Sequence, residues 1–283
     1  MTRRGPTGEG EMGKKMKIVR INGFRIPGLK YPSKPLPDLL ELKNDDTELE
    51  VRDAPDAFVH FVEQNYENEM VAVLHAREAW KVESEGDADA MIIRCNGEPG
   101  VKAARELCDT LVMGSACAVQ HVASMLGRKF SYVIAGKEEG DDGIDIDHTK
   151  DTLITAAQHY GLEHKLASIR NVNVPPTGFN ELIATDEELE PVFTAALEEA
   201  KKAIFEDGAD VIIGYGGPRL HDYLVKHLSP YGVPVLSTDH TLLKVTEMLV
   251  QLGLSQSKRT YPKPRQIYDF HVTAEVVSPD LPA

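Results

Sequence analysis

Two stretches of the chain place a residue capable of proton chemistry in a glycine-rich turn between an apolar run and a helix-forming segment. In the first, Ala88-Asp89 leads through AMII to Cys95-Asn96-Gly97-Glu98-Pro99-Gly100. In the second, Ala209-Asp210 leads through VII to Gly214-Tyr215-Gly216-Gly217-Pro218. Glycine lets backbone N–H groups approach an anionic oxygen closely. A thiol of ordinary pKa about 8.5 ionises more readily near a helix N-terminus, and Pro99-Gly100 opens a helix just downstream of Cys95. Tyr215, with an ordinary pKa near 10, serves better as a proton donor than as a base. Facing each other across a cleft, Cys95 and Tyr215 would move a proton from one side of a planar carbanion to the other. The N–H groups around Asn96-Gly97 and Gly216-Gly217 would hold its enolate-like oxygens. The plainer reading of Cys95 is a small buried hydrophobe at a strand end, the common fate of a free cysteine.

The other two cysteines carry less. Cys108 falls in or at the end of a helix and reads as core packing. Cys117 follows Gly114-Ser115-Ala116 at a strand-to-helix turn, so it either packs in the core or lines the same cleft with Ser115. The histidines offer no metal site: neither His221 with His227 nor His159 with His164 has the i,i+4 spacing that puts two imidazoles on one helix face. The glycine-rich turns match neither G-x-G-x-x-G nor a Walker lysine loop. No cofactor and no metal is expected.

The elements that must position these residues follow from the patterning. Short Val- and Ile-rich runs at 17–21, 48–52, 90–93, 110–113, 130–135, 165–172, 211–213 and 233–236 predict strands. Helical patterns at 101–107, 118–126, 152–160, 186–206, 219–228 and 242–252 alternate with them. That alternation argues for βαβ units and mostly parallel sheets. Gly127 and Gly253 each follow an apolar helix, where a left-handed stop favours glycine. The acidic segment 137–148 reads as a solvated loop. The two glycine-rich turns sit in an internal echo: strand, turn, helix, strand and helix occur twice, ending in Leu126-Gly127 and again in Leu252-Gly253, as a duplication would leave them.

Composition narrows the function classes. Of 283 residues 42% are hydrophobic and 27% charged, the balance of a globular protein. Forty-five acids against 31 Lys and Arg leave a net charge of −14, which repels phosphate backbones and argues against nucleic-acid partners. No run reaches the roughly 18 apolar residues of a membrane span. Three cysteines fit a reducing compartment, so a soluble cytoplasmic protein is expected.

The phrases DADAMIIRCNGEPGVKAARELCDTLVMGSACAVQHVASMLG, KLASIR, DGADVIIGYGGPRL and VPVLSTDHTLLKVTEMLVQLGLSQSKR occur in that order between about Lys17 and Arg259. Together they resemble the aspartate/glutamate/hydantoin racemase superfamily, in particular its hydantoin-racemase-like branch. The resemblance implies two flavodoxin-like α/β domains related by pseudo-twofold symmetry, with a cofactor-free active site in the cleft between them. It further implies two opposed cysteines, one per half, a small carboxylate or hydantoin-like substrate, and a homo-oligomer. The expected division is a flexible tail at 1–15, a first domain at 16–118 plus 238–262, a second at 119–237, and an extension at 263–283.

Cys95 matches the first family cysteine, whereas the second is missing and either Tyr215 or Gly216 stands in its place. Asn22-Gly23-Phe24-Arg25 keeps only the first residue of the family's Asn-Pro-Asn-Thr-like turn. Tyr66, in QNYENE, resembles a family tyrosine near the substrate, and an insertion surrounds 175–180. Expected substrate contacts are therefore Asn22, Tyr66, Asn96, Gly97, Ser115, Cys117, Gly216 and Gly217. A racemase or isomerase working by thiol-mediated proton transfer is the first reading. With one cysteine, a lyase or decarboxylase acting on a small carboxylate is the alternative, as is a non-catalytic binder of small anions. As an enzyme, the protein should show Cys95 alkylated by iodoacetamide far faster than Cys108 and protected by a small dicarboxylate. Equal, sluggish labelling of all three thiols, read by peptide mass spectrometry, would favour the binder.

Overall fold

A computed structural model describes residues 15–25, 30–60, 62, 64–135, 148–174 and 185–268. The tail at 1–14, most of the acidic segment 137–148, the insertion at 175–180 and the end of the extension lie outside the described residues.

Strands β1 (Met16–Asn22), β2 (Thr47–Asp53), β3 (Ala90–Ile93) and β4 (Leu111–Gly114) form one parallel sheet in the order β2-β1-β3-β4. Strands β5 (Phe130–Ile134), β6 (Leu166–Asn171), β7 (Val211–Gly214) and β8 (Val235–Ser237) form a second in the equivalent order β6-β5-β7-β8. Every residue of β3, β4, β5 and β7 is buried, as parallel strands covered on both faces must be. These runs are legible in sequence because two-sided burial leaves no polar alternation to dilute them.

The helices are α1 (Pro37–Leu42), α2 (Asn65–Glu85), α3 (Val101–Leu107), α4 (Ser115–Leu126), α5 (His148–His159), α6 (Asp186–Phe205), α7 (Pro218–Leu228) and α8 (Thr238–Gln251). Val19, Ile21, Met91, Ile93 and Val112 on one face of the first sheet pack against Ala79 and Val82 of α2 and Val101 and Ala104 of α3. On its other face Ile18, Ala90, Ile92, Leu111 and Met113 meet Leu39 of α1 and Leu242 and Leu243 of α8. The second sheet places Val133 and Ile212 against α6 and α7. Phe130, Tyr132, Ile134, Val211 and Ile213 lie on its opposite face against Val119 and Ala123 of α4 and Leu153 of α5. The two halves thus exchange helices: α4 follows a strand of the first sheet and covers the second, and α8 does the reverse. No helix among the described residues is long and apolar enough to cross a membrane.

Helices α1 and α2 add to the elements expected from sequence, and Gly127 departs from its expected conformation. Helix α2 is not visible in the apolar pattern, because its inward face mixes Val71, Leu74, Ala79 and Val82 with buried His75, Arg77 and Glu78, breaking the period. Arg77 pairs with Asp56 and Glu78, which makes that burial tolerable. Gly253 takes the left-handed conformation (φ 68°), but Gly127 is extended (φ −146°). Glycine is needed at 127 for closeness instead, since a Cβ would run into the Asp210 carboxylate and Val211 Cγ2. That carboxylate accepts from the Arg128 and Lys129 backbone N–H groups at 3.0 and 2.9 Å.

Beyond α8 the chain returns along the free edge of β4. The Gln256 amide accepts from Val112 N–H (3.0 Å) and donates to the Cys108 and Thr110 carbonyls (2.8 and 2.9 Å), while Lys258 Nζ donates to the Arg105 carbonyl (2.7 Å). The Gln256 side chain thus serves an edge that would otherwise leave backbone groups unpaired. Gln256→Ala should lower the unfolding free energy by about 1–2 kcal/mol, seen as a lower urea midpoint at unchanged m-value.

Candidate active site

The turn after β3 is held from several sides. Glu98 N–H donates to the Cys95 carbonyl (2.9 Å), and Glu98 adopts a left-handed φ of 53°, uncommon for a residue with a side chain. Gly100 also lies in that region (φ 80°), where a Cβ would come within 2.5 Å of the Ala72 carbonyl oxygen of α2. His75 of α2 donates its Nδ1 hydrogen to the Pro99 carbonyl (2.9 Å). Burial lowers its pKa to about 4, so the neutral ring makes this bond. The same ring would sit 2.9 Å from a Cβ at Gly23, so it packs at once against the exits of β1 and β3.

Cys95 is half-buried at the mouth of this turn. The backbone N–H groups of Gly97 and Glu98 point at its sulfur, and the Arg94 guanidinium also favours the thiolate. Burial outweighs them, and with the nearby Glu98 carboxylate it pushes the thiol up to about 11. The lowered pKa expected from the helix start is therefore not found: α3 begins only at Val101. Cys108, fully buried, is pushed up to about 12.

Arg94 draws the two halves together. Its Nε donates to Asp239 Oδ1 in the first turn of α8 at 2.6 Å. Asp239 raises the arginine pKa further, and the guanidinium also feels Tyr215 and Cys95. Burial would raise the Asp239 carboxyl, but Arg94, with Arg20 and His240, holds it below the usual range. Tyr215, half-buried at the end of β7, donates its backbone N–H to the Val133 carbonyl (2.9 Å) and packs on the core beneath the second sheet. In register, Ile21 pairs with Ile93 and Val133 with Gly214, the last residues of the two equivalent strands. Counting on from them, Tyr215 corresponds to Arg94 and Gly216 to Cys95. At Gly216 a Cβ would meet Leu220 Cδ2 at 2.6 Å.

The expected substrate contacts divide. Asn96 is buried, and its side-chain oxygen has no partner among the described residues, so it offers an acceptor to a ligand. Gly97 lies beside it, with its N–H on the Cys95 sulfur. Gly217 caps α7. Asn22, in contrast, donates to Asp53 Oδ1 (2.5 Å) and Ser33 Oγ (3.4 Å), which ties the end of β1 to the end of β2 and to the loop between them. Ser115 is buried and donates to the Ile93 carbonyl (3.3 Å). The Cys117 N–H donates to Glu98 Oε1 (2.7 Å), whose other oxygen accepts from Tyr160 Oη (2.5 Å). An internal carboxylate therefore occupies the N-terminus of α4, where substrate oxygens were expected. Gly114 makes room for it, since a Cβ there would run into the Glu98 carboxylate. Tyr66 is 70% exposed on the first turn of α2 and makes no hydrogen bond or ring contact among the described residues.

Sequence reading passed over Arg94, Asp239, Glu98 and His75. A signal for Arg94 was present, an arginine closing an otherwise apolar buried run directly before Cys95. Among the described residues no cluster of His, Cys, Asp and Glu could hold a metal ion.

Comparison with known proteins agrees with this architecture. The profile of the family described as Asp/Glu/Hydantoin racemase matches residues 41–244. A hydantoin racemase of Paenarthrobacter aurescens is 32% identical over 206 residues, 70% of this chain and 78% of that protein. Another hydantoin racemase, from Pseudomonas sp. (strain NS671), is 30% identical over 206 residues, 72% of this chain and 75% of its own. Among solved structures, an allantoin racemase of Klebsiella pneumoniae superposes with a TM-score of 0.72 at 24% identity, covering 89% of this chain and 95% of its own.

The raised Cys95 pKa sets a pH signature. The thiolate fraction at neutral pH is on the order of one in ten thousand. Alkylation of Cys95, followed by peptide mass spectrometry, should keep accelerating beyond pH 10. A plateau near pH 8.5 would show an unshifted thiol.

Proposed function

The chain belongs to the Asp/Glu/hydantoin racemase family and is a racemase-like enzyme, and on that premise we propose that it moves a proton at the carbon beside a carbonyl or carboxylate of a small hydantoin-like compound, without a cofactor. The observation that carries this reading is strand register, which puts Cys95 and Tyr215 in the turns that leave the equivalent strands β3 and β7, with Arg94 directly before the thiol. In one direction, the Cys95 thiolate takes the proton from one face. The C–H electron pair moves onto the adjacent carbonyl oxygen, and the Tyr215 hydroxyl delivers a proton to the opposite face. Solvent exchange then restores the thiolate and the phenol. In the reverse direction the thiol is the donor, the role favoured by a pKa of about 11. The unpartnered oxygen of Asn96 suits a ring N–H, which a hydantoin has and a simple carboxylate lacks.

One observation favours a second reading. With Gly216 at the position equivalent to Cys95, the sulfur chemistry is one-sided, as single-face protonation after loss of carbon dioxide would require. Assembly of several copies also goes with the racemase reading. It is supported by Met125, Leu126, Leu252 and Leu254, all exposed at or just beyond the ends of α4 and α8. The three free thiols support a reducing, cytoplasmic setting.

Incubation of an optically pure 5-substituted hydantoin in deuterium oxide separates the readings. A racemase loses optical rotation and gains one deuteron at C5, above the uncatalysed rate and without loss of substrate by proton NMR. A decarboxylase instead releases carbon dioxide from a malonate-like acid and leaves the hydantoin alone. Cys95→Ala should slow the hydantoin reaction by about 10²–10⁴-fold, the usual worth of a positioned acid–base group. Tyr215→Phe should slow racemisation while leaving exchange on one face.

A further inference from the structure

Two arginines lie on one face of the first sheet, and proton transfer uses neither as a proton carrier. Alternation along β1 puts Arg20 on the side of Ile18, and Arg94 follows Ile92 at the next like position, so both lie toward α8. Arg94 engages Asp239 through Nε alone. Its two Nη groups make no hydrogen bond among the described residues, and 36% of the side chain remains exposed. Arg20 has a buried Nε without a partner. Burial, and next the charge of Arg94, lower the Arg20 pKa to about 10. Asp53, the other acid within electrostatic reach of Arg20, already accepts from Asn22 and from Ser33 N–H (2.6 Å). Two guanidinium groups therefore press on each other beside Cys95, with one carboxylate in direct contact. A second anion there would relieve their repulsion and meet free donors in bidentate geometry.

We propose that the substrate carries a carboxylate of its own, apart from the carbonyl beside the reacting carbon, and that Arg94 binds this group with Arg20 behind it. The substrate class is then an acidic ureide, such as a hydantoin with a carboxylate side arm. The inference rests on the proton-transfer reading of the same site, and its test separates the two.

Hydantoin-5-acetate and hydantoin-5-acetamide differ in charge and hardly in shape. Titration calorimetry at low salt should show the acetate binding at least tenfold more tightly to the wild-type protein, with the preference shrinking as salt rises. Arg94→Gln should bring the two probes to near parity, Arg94→Lys should keep part of the preference, and Arg20→Gln should weaken it. Asp239→Asn, which frees the Arg94 Nε, should strengthen acetate binding, a gain that mere structural support would not produce. Equal affinities in the wild-type protein, or an unchanged preference in a folded Arg94→Gln, would overturn the proposal. If Arg94→Gln does not fold, the wild-type preference and the Asp239→Asn gain decide. Deuterium exchange at C5 of the uncharged acetamide reports the proton chemistry alone. Exchange without preference removes the anion site and leaves the chemistry standing, and preference without exchange does the opposite.

Discussion

The contact between Arg94 and Asp239 joins what the chain keeps far apart. Arg94 ends the β3 run of the first sheet, and Asp239 opens a helix that follows the last strand of the second. Asp239 is buried whereas Arg94 is partly exposed, so losing Arg94 strands a desolvated carboxylate, while losing Asp239 leaves a cation that water can still reach. The seating of α8 on the first sheet is thus tied to the electrostatics beside Cys95. Further along α8, Glu247 accepts from Thr47 Oγ1 (2.6 Å) and Asn44 N–H (2.8 Å), and His240 meets Asp38 Oδ2 at 2.8 Å. The helix exchanged between halves is held by directional polar contacts as well as by Leu242 and Leu243, which fixes its register and not only its burial.

With that frame in place, the state of Cys95 is a contest of opposing effects. Two backbone N–H groups and Arg94 favour the thiolate; desolvation and the Glu98 carboxylate oppose it, and they win. Glu98 in turn is kept protonated more readily than usual by burial, although Cys117 N–H and Tyr160 support its charge. An anion bound at Arg94 would shift this contest again, since it would screen a cation that now favours the thiolate. The charge of a ligand bound there and the ionisation of the thiol would therefore be linked through one guanidinium.

Residues whose consequences are local are legible in the order of the chain. Strands β3, β4, β5 and β7 are readable because two-sided burial demands unbroken apolar runs, and the turn at Cys95 because strand, glycine and helix start lie within a few residues of one another. Helix α2 is not, since His75, Arg77 and Glu78 are buried only by virtue of partners at Pro99 and Asp56. Gly127 misleads for a related reason: a glycine after a helix suggests a left-handed stop, but the crowding that requires it comes from Asp210, distant in sequence. Ser115 and Cys117 stand at the strand-to-helix turn that opens α4 and Asn22 ends β1, and in this structure Asp53, Ile93 and Glu98 engage their polar groups.

What the sequence alone determined is the strands, the helices from α3 onward, their duplication, the family and the glycine-rich turn that carries Cys95, all of which depend on neighbours along the chain. Whether Tyr215 or Gly216 answers Cys95 needed strand register, and the thiol's raised pKa needed the burial around it. The placement of Asp239 against Arg94 needed the exchange of α8 between halves. Desolvation and charge–charge energies depend on distances through space, and a linear order of residues does not contain those distances until the sheets and the exchanged helices are packed.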